Sequence, residues 1–221
     1  MKKISIAIDG PAAAGKSTIA KMVARNLNYT YIDTGAMYRC VAYSAFVHGI
    51  SYEDEAGVVG LLKDLKIKLL PDGSIRLNGE DVSSAIRANE VSMGASIVSQ
   101  YAKVRSFLVA QQREMAKGGG VILDGRDIGT VVLPEAELKI YKVASVETRA
   151  KRRYKENIEK GIECDYDEMK AEIAKRDAQD MNREVSPLKK ADDAIELDTS
   201  NMSLEEVVAH VMDLVEKKLE E

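Results

Sequence analysis

Residues 10–17 read Gly-Pro-Ala-Ala-Ala-Gly-Lys-Ser, a full match to G-x-x-x-x-G-K-[ST]. This pattern constrains the fold more than any other, because it works only in one backbone setting. A strand must run into a turn of small residues, and a helix must leave it. The backbone N–H groups then converge as an anion nest at a helix N-terminus. The flanking sequence supplies both elements. Ile4 to Ile8 is a short β-branched run ending at Asp9-Gly10. From Lys16 to Leu27 the apolar residues Ile19, Ala20, Val23, Ala24 and Leu27 recur at helical spacing. In such a loop Gly10, Pro11, Ala12, Ala13, Ala14, Gly15, Lys16 and Ser17 surround phosphate oxygens. Lys16 neutralises the outer phosphates, and the Ser17 hydroxyl can ligate Mg²⁺.

The elements that follow predict an α/β fold with a parallel sheet. Tyr29 to Asp33 reads as a second strand and Ala36 to Val47 as a helix. The rhythm then breaks. Leu65 to Leu70, a Pro71-Asp72-Gly73-Ser74 turn, Ile75 to Leu77 and an Asn78-Gly79 hairpin predict a small antiparallel sheet over about 65–83. It does not belong to a β-α-β series and reads as an inserted lobe. Helices are expected near 88–98 and 101–117, with Gly118-Gly119-Gly120 ending the second. Val121 to Leu123, Leu138 to Val143 and Ala194 to Leu197 read as strands. Val146 to Lys160 and Asp165 to Met181 read as helices, and Ser203 with Glu206 forms a capping box for the last one.

Charge and composition narrow the function. Lys and Arg number 32 against 36 Asp and Glu, for a net charge of −4, so the whole chain is not a polycation for nucleic acid. Lys139 to Lys160 nevertheless holds eight Lys/Arg and three Asp/Glu. A nucleic-acid binder built on that stretch is one alternative, weakened by two Phe and no Trp. Two cysteines and two histidines exclude a disulfide framework and a His-rich metal site. The opening apolar run is too short for a signal peptide or a membrane span, and a cytoplasmic protein is expected.

A phosphate loop alone leaves GTPases, motor ATPases and small-molecule kinases open. Leu123-Asp124 at a strand end could act on a metal through water, while Asp9 and Asp33 end strands at the same expected edge. Helix capping or turn formation is the competing role of each of these carboxylates. Arginines favour a kinase, since phosphoryl transfer needs cations around developing charge. Arg149, Arg152 and Arg153 share a helix face by their spacing, and Arg39, Arg105, Arg126, Arg176 and Arg183 are spread along the chain. No N-K-x-D segment for guanine is present.

Four segments together are more specific: Ile8-Asp9-Gly10-Pro11, Asp33 to Arg39 (Asp-Thr-Gly-Ala-Met-Tyr-Arg), Asp124 to Thr130 (Asp-Gly-Arg-Asp-Ile-Gly-Thr), and Arg176-Asp177-x-x-Asp180-x-x-Arg183. In this order, with the 65–83 insert, they resemble the bacterial cytidylate kinase family over nearly the whole chain. The resemblance implies a P-loop NTPase-type parallel five-stranded sheet flanked by helices, with a lid and an inserted monophosphate-binding lobe that contains the small antiparallel sheet. It places one nucleoside monophosphate kinase domain over 1–221. The core would take about 1–35, 84–145 and 184–221, the lobe about 36–100 and the lid about 149–170. It implies transfer of the ATP γ-phosphoryl group to CMP or dCMP with Mg²⁺. It further implies a monomer acting on small molecules, with no nucleic acid and no membrane.

Residue by residue, the resemblance implies that Gly10 to Thr18 hold the ATP phosphates, that Arg39, Arg126 and Arg176 grip the acceptor phosphate and that Asp180 binds the ribose hydroxyls. Arg183 would bridge towards the phosphates in flight, making Lys16, Arg126, Arg176 and Arg183 the catalytic set. Thr34, Ser96, Arg105 and Asp127 would face cytosine, and Arg149, Arg152 and Arg153 would belong to the lid. Dephospho-coenzyme A kinase and shikimate kinase are alternatives within the phosphate-loop class. Neither is expected to carry the insert together with Asp-Gly-Arg-Asp.

Overall fold

The structure, a computed structural model, describes residues 3–159 and 161–220. Strand β1 (Ser5–Asp9) lies at the centre of a five-stranded sheet in the order β2-β6-β1-β7-β8. The other members are β2 (Thr30–Asp33), β6 (Val121–Gly125), β7 (Leu138–Val143) and β8 (Ile195–Asp198). β1 runs parallel to β6, with Ile8 opposite Asp124, and parallel to β7, which pairs in parallel with β8. The central strands are apolar on both faces, as a covered parallel sheet requires. Ile4, Ile6, Ile8, Ile122, Leu123, Leu138 and Ile140 are buried.

By internal contact the chain divides into two compact units, 1–29 with 118–221, and 30–117. In the first, helix α1 (Lys16–Leu27) packs on β6 and on α8 (Leu204–Glu220), and α8 packs on β7. Ser203 Oγ accepts the Glu206 N–H at 3.2 Å while the Glu206 carboxylate accepts the Ser203 N–H at 2.7 Å, which is the expected capping box. Helices α6 (Val146–Glu159) and α7 (Tyr166–Asn182) form a hairpin with a small apolar cluster of its own, Ala150, Met169 and Ile173. Asp165 caps α7 by accepting the Glu168 N–H at 2.8 Å. The expected end of α6 at Lys160 lies outside the described residues.

In the second unit, α2 (Thr34–Val47) packs on α3 (Glu55–Leu61), α4 (Asn89–Val98) and α5 (Ala102–Ala116). The small sheet is β3-β4-β5 (Ile67–Leu69, Ile75–Leu77, Glu80–Asp81), antiparallel throughout. Asn78 and Gly79 both have positive φ (53° and 94°), the backbone a two-residue hairpin of this kind demands. The lobe expected at 36–100 lies inside this unit.

Three details differ from the sequence reading. Helix α2 begins at Thr34 rather than Ala36, because Asp33 is its cap and accepts the Ala36 N–H at 2.8 Å. Helix α3, capped by Asp54, has no counterpart in that reading. Ile128–Val132 forms a wide helical turn with Val132 N–H bonded back to Asp127 O.

Candidate active site

The loop between β1 and α1 has the backbone a phosphate cradle needs. Gly10, Ala13 and Gly15 all take positive φ (148°, 54° and 77°). A Cβ at Gly10 would strike the carbonyl oxygen of Lys142, so only glycine passes there. Three peptides of the loop have partners. Pro11 O accepts from Lys16 Nζ at 2.8 Å, and the next N–H, of Ala12, donates to Asp177 Oδ1 at 3.1 Å. Ala12 O accepts from Arg149 Nη1 at 2.9 Å, and Ala14 O accepts from Lys142 Nζ.

Lys16 is buried. Burial, then the nearby Arg126 guanidinium, push its ammonium well below the usual lysine range, against Asp124, Asp9 and Asp180. An arriving phosphate would relieve that strain on the charge. Ser17, one residue on, donates its hydroxyl to Asp124 Oδ2 at 2.8 Å. The carboxylate at the end of β6 therefore sits beside the hydroxyl expected to meet a cation. Asp9 faces the other way: its carboxylate accepts the N–H groups of Ile128 and Gly129, both at 2.8 Å. Burial lifts its pKa to about 6, with Asp127 adding to the rise, while the two N–H groups and Lys16 oppose it.

The Asp-Gly-Arg-Asp segment and α7 meet in the same unit. Arg126 Nε donates to Asp180 Oδ2 at 2.7 Å. Arg183 lies between two carboxylates, 3.8 Å from Asp180 Oδ1 and 3.7 Å from Asp127 Oδ1, and donates to Ser186 O at 2.6 Å. Burial alone would raise Asp180, but Arg126, by charge and hydrogen bond, with Arg176 and Arg183, holds it below the usual carboxylate range. Three arginines from positions 126, 176 and 183 thus surround one buried carboxylate.

In the second unit Thr34 is buried at the start of α2, and Arg39, on the next turn, pairs with Asp33 at 3.3 Å. Arg105 is only 3% exposed. Its Nη1 donates to Ser99 O at 3.1 Å and its guanidinium lies 5.4 Å from the centre of the Tyr38 ring. Ser99 in turn donates to the backbone oxygen of Ser96, which is half-buried on α4. This unit therefore gathers Thr34, Arg39, Ser96 and Arg105 on the packed helices α2, α4 and α5.

The arginines of α6 have three different surroundings. Arg149 is buried and pairs with Asp177 at 2.6 Å, Arg152 donates to Thr199 O at 2.7 Å, and Arg153 is exposed beside Glu156. Lys139 is also buried and paired, with Asp193 at 2.7 Å. The basic stretch from Lys139 is thus partly interior, with Lys139, Lys142 and Arg149 buried and Lys151, Arg152, Arg153 and Lys155 exposed. Sequence reasoning gave no role to Lys142 or to the Asp177 carboxylate. Strand β7 carries two lysines, Lys139 and Lys142, and nothing in their spacing tells which is turned to the phosphate loop. Among the described residues no helix is long and apolar enough to cross a membrane.

Known proteins resemble this chain over nearly its whole length. The family described as "Cytidylate kinase" matches residues 6–217. The chain is 56% identical to a protein named cytidylate kinase from Streptococcus agalactiae, over 98% of this chain and 97% of that one. It is 53% identical to another of that name from Anoxybacillus flavithermus, over 99% of each. Among solved structures, a shikimate kinase from Bacteroides thetaiotaomicron covers 97% of this chain and 99% of its own at 13% identity and TM-score 0.50. An uncharacterised protein from Eubacterium ventriosum covers 98% and 99% at 13% identity and TM-score 0.54. These two likenesses concern the fold alone. The match over 6–217, with full-length relatives above half identity, makes this chain a member of the cytidylate kinase family.

Proposed function

We propose that the chain transfers the γ-phosphoryl group of ATP to CMP and dCMP, as a cytoplasmic monomer using Mg²⁺. The observation that carries this is the presence, in one unit, of the Gly10–Thr18 loop and the Arg126–Asp180–Arg183 network, with the Ala12 N–H of the loop bonded to Asp177 on the helix that bears Asp180. Phosphoryl transfer needs little covalent chemistry from a protein; it needs alignment and neutralised charge. The loop N–H groups and Lys16 hold the donor phosphates. Arg39, Arg126 and Arg176 bind the acceptor phosphate, and Arg183 meets the charge that develops between the two. Asp180 accepts from the ribose hydroxyls. The acceptor is already an anionic oxygen, so no strong general base is required.

The residues fit a magnesium ion. Ser17 and Asp124 offer hard oxygen donors side by side. The described residues hold no group of three or more His, Cys, Asp or Glu side chains able to cage a metal. That suits an ion bound largely through phosphates and water. When bound, it offsets charge on the phosphate oxygens.

Cytosine presents an N4 amine where uracil presents O4. Asp127 accepts from the amine, and Arg105 donates to N3 or O2, with Thr34 and Ser96 completing the polar edge. Uracil would set O4 against the carboxylate, and an unmatched buried polar group costs about 1–3 kcal/mol. Arg149, Arg152 and Arg153 belong to a lid over about 149–170, which closes over bound nucleotides and excludes water. Coupled measurement of ADP release with CMP, dCMP, UMP, AMP and shikimate as acceptors tests the assignment. CMP and dCMP should be used far faster than the others. Preference for any other acceptor would overturn it.

A further inference from the structure

Lys142 is a lysine in the wrong place for a surface residue. It lies next to the end of β7, between Tyr141 and Val143, and is 2% exposed. Burying an ammonium group is costly unless its protons are used. Here the Nζ donates to Ala14 O within the phosphate loop and, at 2.7 Å, to Thr199 Oγ1. The same residue's backbone oxygen is what a Cβ at Gly10 would strike. One residue of the central sheet therefore touches both ends of the loop, Gly10 through its main chain and Ala14 through its side chain.

In a trans peptide the C=O and the following N–H point in opposite directions. A cation that holds Ala14 O on the sheet side therefore turns the Gly15 N–H to the other side of the loop. Gly15 has φ 77°, a conformation with no strong preference of its own in glycine. Without the cation that peptide could rotate, and one donor of the nest would be lost.

We infer that Lys142 is a positioning residue for the donor nucleotide: it fixes the Ala14–Gly15 peptide so that the Gly15 N–H is presented to a phosphate oxygen of ATP. This rests on the reading of Gly10–Thr18 as the donor-phosphate loop. The groups that face the ammonium are Arg149 and Arg152 of α6, Asp198 at the end of β8 and the Thr199 hydroxyl. Burial first, then Arg152 and Arg149, push its pKa down to about 8, against Asp198. The clamp therefore carries its charge at neutral pH and loses it in mildly alkaline solution.

Lys142→Met keeps the apolar stem and removes the charge. It is expected to raise KM for ATP about tenfold, the effect of one charge-assisted hydrogen bond, with KM for CMP within about twofold of the parent. The parent's KM for ATP should rise as pH passes about 8, and that rise should be absent from the variant. Calorimetric titration of ATP alone should show the same weakening, and it reads the loop without requiring CMP turnover. If the parent failed to make CDP, the functional reading would fall while this titration still tested the clamp. An unchanged ATP affinity in Lys142→Met, or equal losses for ATP and CMP, would overturn the inference. If Lys142→Met does not fold, Thr199→Val removes one partner at nearly equal volume. It should weaken ATP about two- to threefold, and no change there would equally overturn the inference.

Discussion

Two buried carboxylates of one unit, far apart in sequence, show how much environment decides. Asp180 is held ionised by three arginines, whereas Asp9 has a pKa lifted by burial to about 6 from an ordinary 3.8. The folded state thus keeps the Asp9 proton at pH values where the unfolded chain has released it. Its contribution to stability is complete below about pH 4 and is lost as pH rises through about 6. Asp180 has the opposite sign, stabilising at neutral pH and losing that contribution as its carboxylate protonates in acid. Urea unfolding of nucleotide-free Asp9→Asn and its parent should show the variant gaining about 1–2 kcal/mol relative to the parent between pH 5 and 7.5. Parallel stability curves would contradict the shift. Lys16→Ala should lower kcat by about 10²–10³-fold with the fold intact by circular dichroism; near-parental turnover would remove Lys16 from the mechanism. Asp127→Ala should reduce the CMP-to-UMP ratio of kcat/KM by about tenfold or more, with KM for ATP changed far less. Equal losses on both pyrimidines would deny Asp127 its part in base choice.

At the level of elements, the legible features were those with a local cause. The phosphate loop, the Asn78-Gly79 hairpin and the Ser203–Glu206 cap each need particular residues at fixed offsets, and each is found where those residues stand. Features set by tertiary contact were not legible. Asp33 is not one of these: capping was open to it from sequence, and its carboxylate caps α2 and pairs with Arg39. The spacing of Arg149, Arg152 and Arg153 tells that they neighbour one another on a helix. It does not tell that Arg149 turns inward to Asp177 and the Ala12 carbonyl. Gly94 illustrates the same limit within α4. Propensity alone says that alanine should stabilise the helix by up to about 1 kcal/mol. A Cβ at that position, however, meets the Tyr52 ring. Gly94→Ala should therefore destabilise the protein by about 1–3 kcal/mol in urea unfolding; a gain in stability would show that the ring moves aside at little cost.

For the molecule as a whole, the order of segments carried more than any one of them. The phosphate loop fixed the parallel sheet and a nucleotide. The insert and the Asp-Gly-Arg-Asp and Arg-Asp-x-x-Asp-x-x-Arg segments narrowed the class to one family, which the full-length relatives bear out. Burial was the hidden quantity. Cys40 could be read as a small apolar group, and burial does push its thiol up to about 12, leaving it unreactive. Lys142 could not be read, because a lysine beside apolar strand residues has the same sequence signature whether it faces water or the core. The central claim is that the chain moves a phosphoryl group between two nucleotides rather than to water. Phosphorus NMR of the chain with ATP, magnesium and CMP follows the fate of that group directly. The account predicts that the γ-phosphate signal of ATP declines as the signals of CDP and ADP grow together. Growth of inorganic phosphate in place of CDP would contradict it.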